Sequence, residues 1–333
     1  MNAGDAYARA GVSQRSADAA VAELLGSLRR IDPGRASRQV VGAGHYASVL
    51  RLDERTGLAL STDGVGTKLL VAEQLGRWDT VGIDCVAMNV NDLICVGAEP
   101  IAMLDYVAVP EADPVVMRQL GVGLRAGAER ARIEIPGGEL AQLGEIVRGL
   151  DLVGASFGLV ELDAIVDGSA IEPSDPVIGL PSSGLHSNGY TLARRALEGL
   201  GLEDERLGRP LGEVLLEPTE IYVPAVLELL GSSVDTRGLA HITSGGLGNL
   251  LRLSSEVGYE IDDPLPAQPV FDLIRERAAV PEEEMREVFN MGCGFCCVVR
   301  ADDEDDAIEL LRGHYPAARR IGTATAQAGA LII

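Results

Sequence analysis

Apolar residues recur at Val21, Leu24, Leu25 and Leu28, a spacing that predicts an amphipathic helix over residues 17–30. After a glycine-bearing link, the runs 48–52 and 58–62 flank the polar stretch Asp53-Glu54-Arg55-Thr56-Gly57 and predict a β-hairpin. Its second strand leads into Asp63-Gly64-Val65-Gly66-Thr67-Lys68. Residues 68–78 and 80–96 follow the helical period, 100–109 form a nearly continuous apolar run suited to a buried strand, and 114–131 are helical again. Further strands are expected at 132–135 and 152–162. The second half continues with strands at 177–180 and 294–300 and helices at 190–200, 220–230 and 302–312, the last opening in an acidic cluster that suits a helix N-terminus. A polar, turn-rich stretch at 166–175 separates the halves, so we expect two domains, residues 1–168 and an α/β domain of residues 169–333. The mixture of strands and helices in both halves places the chain in the α/β (α+β) class.

Composition narrows this picture. With 333 residues, 47% of them hydrophobic and 23% charged, the chain is globular rather than disordered. Its 28 Lys+Arg face 50 Asp+Glu, a net charge of -22 that opposes broad adhesion to nucleic acid or anionic membranes, so neither is expected as a partner. No apolar run approaches the roughly 18 residues of a membrane-spanning helix. The first thirty residues carry Asp5, Asp18 and Glu23 with no uninterrupted apolar core, so no secretory signal is expected. Five cysteines, mostly inside apolar runs, predict buried reduced thiols and a cytoplasmic protein. Cys293-Gly294-Phe295-Cys296 contains C-x-x-C, but in an extended strand its two thiols would face opposite sides, and no zinc site is expected.

Lys68 is the only lysine, which draws attention to the loop that carries it. A glycine loop between strand and helix turns backbone N–H groups toward an anion, with Lys68 adding charge and Asp63 free to meet a metal. The G-x-x-x-x-G-K-[ST] spacing of a P-loop is absent, and the bland alternative is an ordinary turn with a solvated lysine. On the next helix Asp84 and Asn91 share a face, with Asp92 further round, among Val, Ile, Ala, Cys and Leu. Such polar groups need partners when buried, and Mg²⁺ and phosphate oxygens would serve; a solvated stripe is the alternative. Asp105, inside an apolar run, raises the same question. The segment 182–190, with Ser182, Ser183, His186, Ser187 and Asn188, suits phosphate or ribose recognition, or forms a capped turn. The segment 241–249 repeats the plan of strand, glycine-rich loop and helix. Gly42-Ala43-Gly44-His45-Tyr46-Ala47 looks like a weak dinucleotide fingerprint, but a hairpin follows where a long helix should begin.

Taken together, Ser61 to Lys68, Asp84 to Leu93, Gly97-Ala98-Glu99-Pro100 and Leu104-Asp105-Tyr106 resemble the phosphoribosylformylglycinamidine cyclo-ligase family, the aminoimidazole ribonucleotide synthetases. Ser182 to Tyr190, His241 to Gly246 and Phe289-Asn290-Met291-Gly292 match later motifs of that family in order, and the likeness begins at Tyr7-Ala8-Arg9-Ala10-Gly11-Val12. The resemblance implies a two-domain homodimer whose N-terminal domains share a β-barrel, and ATP-driven ring closure of formylglycinamidine ribonucleotide in purine synthesis. In that family ATP phosphorylates the formyl oxygen, the ribose-bearing amidine nitrogen attacks the formyl carbon, and phosphate leaves, and the resemblance implies the same course here.

On this basis ATP and its phosphates are expected on Asp63, Gly64, Gly66, Thr67, Lys68, Asn89, Asn91 and Glu139. Mg²⁺ is expected on Asp63, Asp84 and Asp92, with K⁺ as a further candidate cation. Catalysis is assigned to Lys68, His241 and Asp92, and the ribonucleotide to Ser182, Ser183, His186, Ser187, Asn188, Gly245 and Gly246. Lys68→Met is then expected to lower turnover without unfolding. Two departures stand out: Leu140 where the family's G-G-E-T has threonine, and Ser244 where its T-G-G-G has glycine. They leave open a paralogue of this ATP-binding superfamily with another substrate, or a non-catalytic nucleotide-binding regulatory dimer.

Overall fold

The structure is a computed structural model that describes residues 14–29 and 31–333. The segment Tyr7 to Val12 lies outside the described residues. In chain order the helices are α1 (Gln14–Leu28), α2 (Leu69–Leu75), α3 (Val81–Ile94), α4 (Pro114–Ala131), α5 (Tyr190–Ala196), α6 (Leu211–Leu215), α7 (Val223–Leu230), α8 (Pro269–Ala278), α9 (Glu282–Val288) and α10 (Glu304–His314). The strands are β1 (Gln39–Val41), β2 (Ser48–Arg51), β3 (Thr56–Gly64), β4 (Glu99–Val109), β5 (Glu134–Gln142), β6 (Asp151–Glu161), β7 (Pro176–Pro181), β8 (Thr236–His241), β9 (Gly258–Glu260), β10 (Cys293–Val299), β11 (Arg319–Thr325) and β12 (Leu331–Ile332).

They form two six-stranded sheets, ordered β1-β2-β3-β6-β4-β5 and β12-β9-β11-β7-β10-β8. The first is antiparallel except where β5 joins β4, and the second except where β12 joins β9. The expected barrel is not formed. A barrel closes only when its last strand pairs with its first, whereas β1 and β5 are the two free edges of an open sheet, and β1 is only three residues long.

α3 fixes how the halves meet. It packs on β3, β4 and β6 with α4 along its other side, and it also touches α7 and β8 of the second half. A helix enclosed in this way is apolar nearly all round, and every residue of α3 except Ile83 and Asp92 is buried. Gly82 permits the close crossing with α4, since a Cβ there would strike the backbone of Gly123 and Leu124. The larger of two hydrophobic clusters runs through both sheets, from Tyr46 and Val65 to Ile321 and Ala324, and a smaller one gathers Val49, Ala59, Leu93 and Val160.

Candidate active site

β3 ends at Asp63 and Gly64, where the chain turns into the short 3-10 helix Gly66–Lys68. Asn89 of α3 clamps this end: its Oδ1 accepts from Asp63 N at 3.1 Å, and its Nδ2 donates to Asp63 O at 3.0 Å. One turn further along α3, Asp92 meets His241 at the end of β8, with Asp92 Oδ1 2.9 Å from Nδ1 of the imidazole. Ser61 Oγ lies 3.4 Å from Asp92 Oδ2. Asn91 settles the histidine tautomer. Its Oδ1 accepts from Tyr222 N and its Nδ2 donates to Glu220 O, so Nδ2 also faces His241 Nε2, at 3.5 Å. Nε2 therefore accepts, and Nδ1 carries the proton that it donates to Asp92.

Asp63 and Asp92 line one cleft of about 690 Å³ together with Ser61, Thr62, Tyr46, Thr243 and Arg252. Desolvation, followed by the charge of Asp92, pushes the Asp63 carboxyl up to about 6. A carboxylate disfavoured by a second one nearby suits a divalent cation. Mg²⁺ commonly takes one or two protein carboxylates and fills its remaining positions with water and phosphate oxygens. Among the described residues no three His, Cys, Asp or Glu are arranged to hold a metal.

Lys68 and Asp84 stand elsewhere. Lys68 is 0% exposed, and its ammonium donates to Asp84 Oδ1 at 2.9 Å, His186 O at 3.1 Å and Glu217 O at 2.6 Å. Asp84 Oδ1 also accepts from Thr219 N at 2.7 Å and Thr219 Oγ1 at 2.6 Å. All three ammonium donors are thus spent on a buried tie between the glycine loop, α3 and the second half. Asn89 and Asn91 likewise spend their amides on the protein, and Glu139 stands on edge strand β5, with β6 and β4 between it and β3.

Three loops converge beside the cleft. Thr67 Oγ1 lies 3.2 Å from Thr191 Oγ1, and Ser187 Oγ lies 3.2 Å from Thr219 Oγ1. Ser244 Oγ donates to Asn188 Oδ1 at 3.1 Å, which joins the 182–190 loop to the glycine turn at Gly245 and Gly246. Both glycines have positive φ, 100° and 54°, and a Cβ on Gly246 would strike Arg286 O. Ser182 is anchored on Asn290, whose Nδ2 also donates to Gly184 O at 2.8 Å, and Ser183 Oγ donates to Pro218 O. His186 has φ 61°, accepts from Ser183 N at 3.2 Å and is held well below its usual range by burial.

Arg252 and Tyr46 line the cleft although neither stands out in the sequence. The Arg252 guanidinium lies 4.2 Å over the Tyr46 ring and donates to His45 O at 2.9 Å, while Tyr46 OH donates to Asn249 O at 3.0 Å. The segment set aside as a false dinucleotide motif therefore forms one wall of the cleft. Arg252 is the last residue of a 3-10 helix, Gly246–Arg252, and nothing in its local pattern marks it.

An open antiparallel sheet joined through one buried helix to a second α/β unit, with a carboxylate cleft at the seam, defines the AIR synthase related class. The model for "AIR synthase related protein, N-terminal domain" matches residues 44–160, and that for the C-terminal domain matches residues 172–333. The chain belongs to the phosphoribosylformylglycinamidine cyclo-ligase family: it is 46% identical to the member from Pyrococcus furiosus over 98% of this chain and 97% of that protein. The member from Methanothermobacter thermautotrophicus is 52% identical over 82% of this chain and 81% of its own length. Among solved structures, thiamine-monophosphate kinase from Stenotrophomonas maltophilia shares the fold, with TM-score 0.63 and 21% identity over 89% of this chain and 90% of that one.

Proposed function

We propose that this chain closes formylglycinamidine ribonucleotide to aminoimidazole ribonucleotide, consuming ATP and releasing ADP and phosphate in the cytoplasm. The observation that carries this reading is the paired Asp63 and Asp92 in a cleft of about 690 Å³, on a chain whose near-full-length relatives are cyclo-ligases. An amide oxygen is a poor leaving group, and a phosphoryl group makes it a good one. Holding a triphosphate on a protein of net charge -22 requires local positive potential. Bound Mg²⁺ would supply charge neutralisation there, with Asp63 and Asp92 as its protein ligands. Arg252 at the cleft wall, with the N–H groups of Gly66 and Thr67, faces the phosphates. The loop from Ser182 to Asn188, with Gly245 and Gly246, holds the ribonucleotide. His241, its ring buried and both nitrogens engaged, orients Asp92 rather than touching substrate.

The active form in this reading is a homodimer. An exposed face of an antiparallel sheet is ordinarily polar. Here Ile101, Leu104 and Tyr106 of β4 and Leu159 of β6 are each about two-fifths exposed. An apolar patch of this kind marks an interaction surface, and a second copy of the chain covers it.

The test is ADP release with ATP, Mg²⁺ and formylglycinamidine ribonucleotide, coupled to a colour assay for aminoimidazole. Substrate-dependent ADP with aminoimidazole product is expected. A folded protein that yields neither would overturn the reading and point to the departures at Leu140 and Ser244.

A further inference from the structure

Three of the five cysteines lie on β10, at positions 293, 296 and 297. In a regular strand, residues three apart face opposite ways, which is the sequence expectation for Cys293 and Cys296. The structure corrects it. The register of β10 against β7 slips between Cys293 and Phe295, and this bulge turns Cys293 toward Cys296, leaving the two sulfurs 3.6 Å apart. Gly294 makes the bulge possible, since a Cβ there would strike the Tyr222 hydroxyl and the His186 ring. Cys297, next along the strand, points to the other face. A largely apolar cavity of about 130 Å³, lined by Leu247, Phe289 and Met291 among others, reaches Cys293. That volume admits molecules the size of water or a small peroxide.

We propose that Cys293 and Cys296 form a dithiol site that small hydroperoxides oxidise to a disulfide within β10. Cys293 sulfur, at the cavity, attacks one oxygen of hydrogen peroxide. The O–O bond breaks, the departing hydroxide leaves as water with the Cys293 proton, and Cys293 carries S–OH. Cys296 sulfur then attacks Cys293 sulfur, the S–O bond breaks, and a second water leaves with the Cys296 proton. In sum, two thiols and one peroxide give one disulfide and two waters. Forming the bond closes the sulfurs from 3.6 Å to about 2 Å.

The site stands apart from the ligase reading, and its test needs no nucleotide. The full chain is exposed to graded hydrogen peroxide, unfolded in denaturant with N-ethylmaleimide, digested with trypsin and mapped by mass spectrometry. The expected result is that the peptide 287–300 carries one maleimide, on Cys297, where the untreated protein carries three, while Cys85 and Cys95 remain fully labelled. Dithiothreitol restores all three. In Cys296→Ser the reaction should stop at a sulfenic acid on Cys293, trapped by dimedone. Three maleimides retained at every peroxide concentration, sulfinic acid without a cross-link, or a bond to Cys297 instead would overturn the proposal. Should the variant fold poorly, the map of the unaltered chain decides alone.

Discussion

Lys68 shows how far a residue's surroundings can redirect its role. Read from sequence, its removal lowers turnover in an intact fold; in the structure its ammonium is the cation of a fully buried ion pair. Lys68→Met strands the Asp84 carboxylate, whose Oδ2 already has no partner, inside the protein. Breaking one side of a buried pair costs about 3–5 kcal/mol, so the variant is expected to lose that much stability in urea denaturation. An unchanged midpoint would refute the structural role.

Asp63 carries a second prediction at this scale. Its folded carboxyl, raised to about 6, keeps its proton at pH values where the unfolded chain has lost it. This group's contribution is therefore most favourable below the unfolded value of about 4, falls as pH rises to about 6, and is constant above. Asp63→Asn should remove that slope and stabilise the metal-free protein at pH 7 by about 3 kcal/mol, while abolishing Mg²⁺-dependent turnover. Denaturation curves from pH 4 to 7 for both proteins would check it.

At the scale of elements, α3 was plain from its apolar pattern, with boundaries within two residues. The partners of its polar side chains were not, because Glu220 and Tyr222 lie some 130 positions away and their main chains carry no sequence signal. The expected strand at 132–135 extends to Gln142 because Pro136, Gly137 and Gly138, ordinarily strand breakers, are tolerated at a sheet edge. The three-residue β9 and two-residue β12 are too short to leave a period in the sequence. The bulge that brings Cys293 to Cys296 was invisible for a different reason, since register is a property of two strands. Asn89 supplies the test for α3. Asn89→Leu removes the partners of Asp63 N and O, and each unpaired group costs about 1–3 kcal/mol. A matching loss of stability is expected, with weaker Mg²⁺-nucleotide binding by calorimetry; unchanged binding would detach Asn89 from the site.

At the scale of the whole molecule, the apolar sheet face predicts self-association. Leu104→Arg combined with Tyr106→Glu should drop the light-scattering mass from two chains to one without lowering helix content. A single-chain mass in the unaltered protein would refute the dimer.

The ties across the seam bear on motion as well. Lys68 reaches Glu217, Asp84 holds Thr219, Asn91 grips Glu220 and Tyr222, and Tyr46 bonds Asn249, so five residue pairs, three of them from α3, sew the halves together. Two lobes joined this way cannot swing apart like jaws. Nucleotide and ribonucleotide enter a gap set during folding, and small-angle scattering should give the same profile with and without them. Nor can one half melt while the other waits, because losing either lobe would expose the Lys68 ammonium and the far side of α3 to water. A single calorimetric peak is expected on heating. Neither half is expected to fold once it is cut from the other.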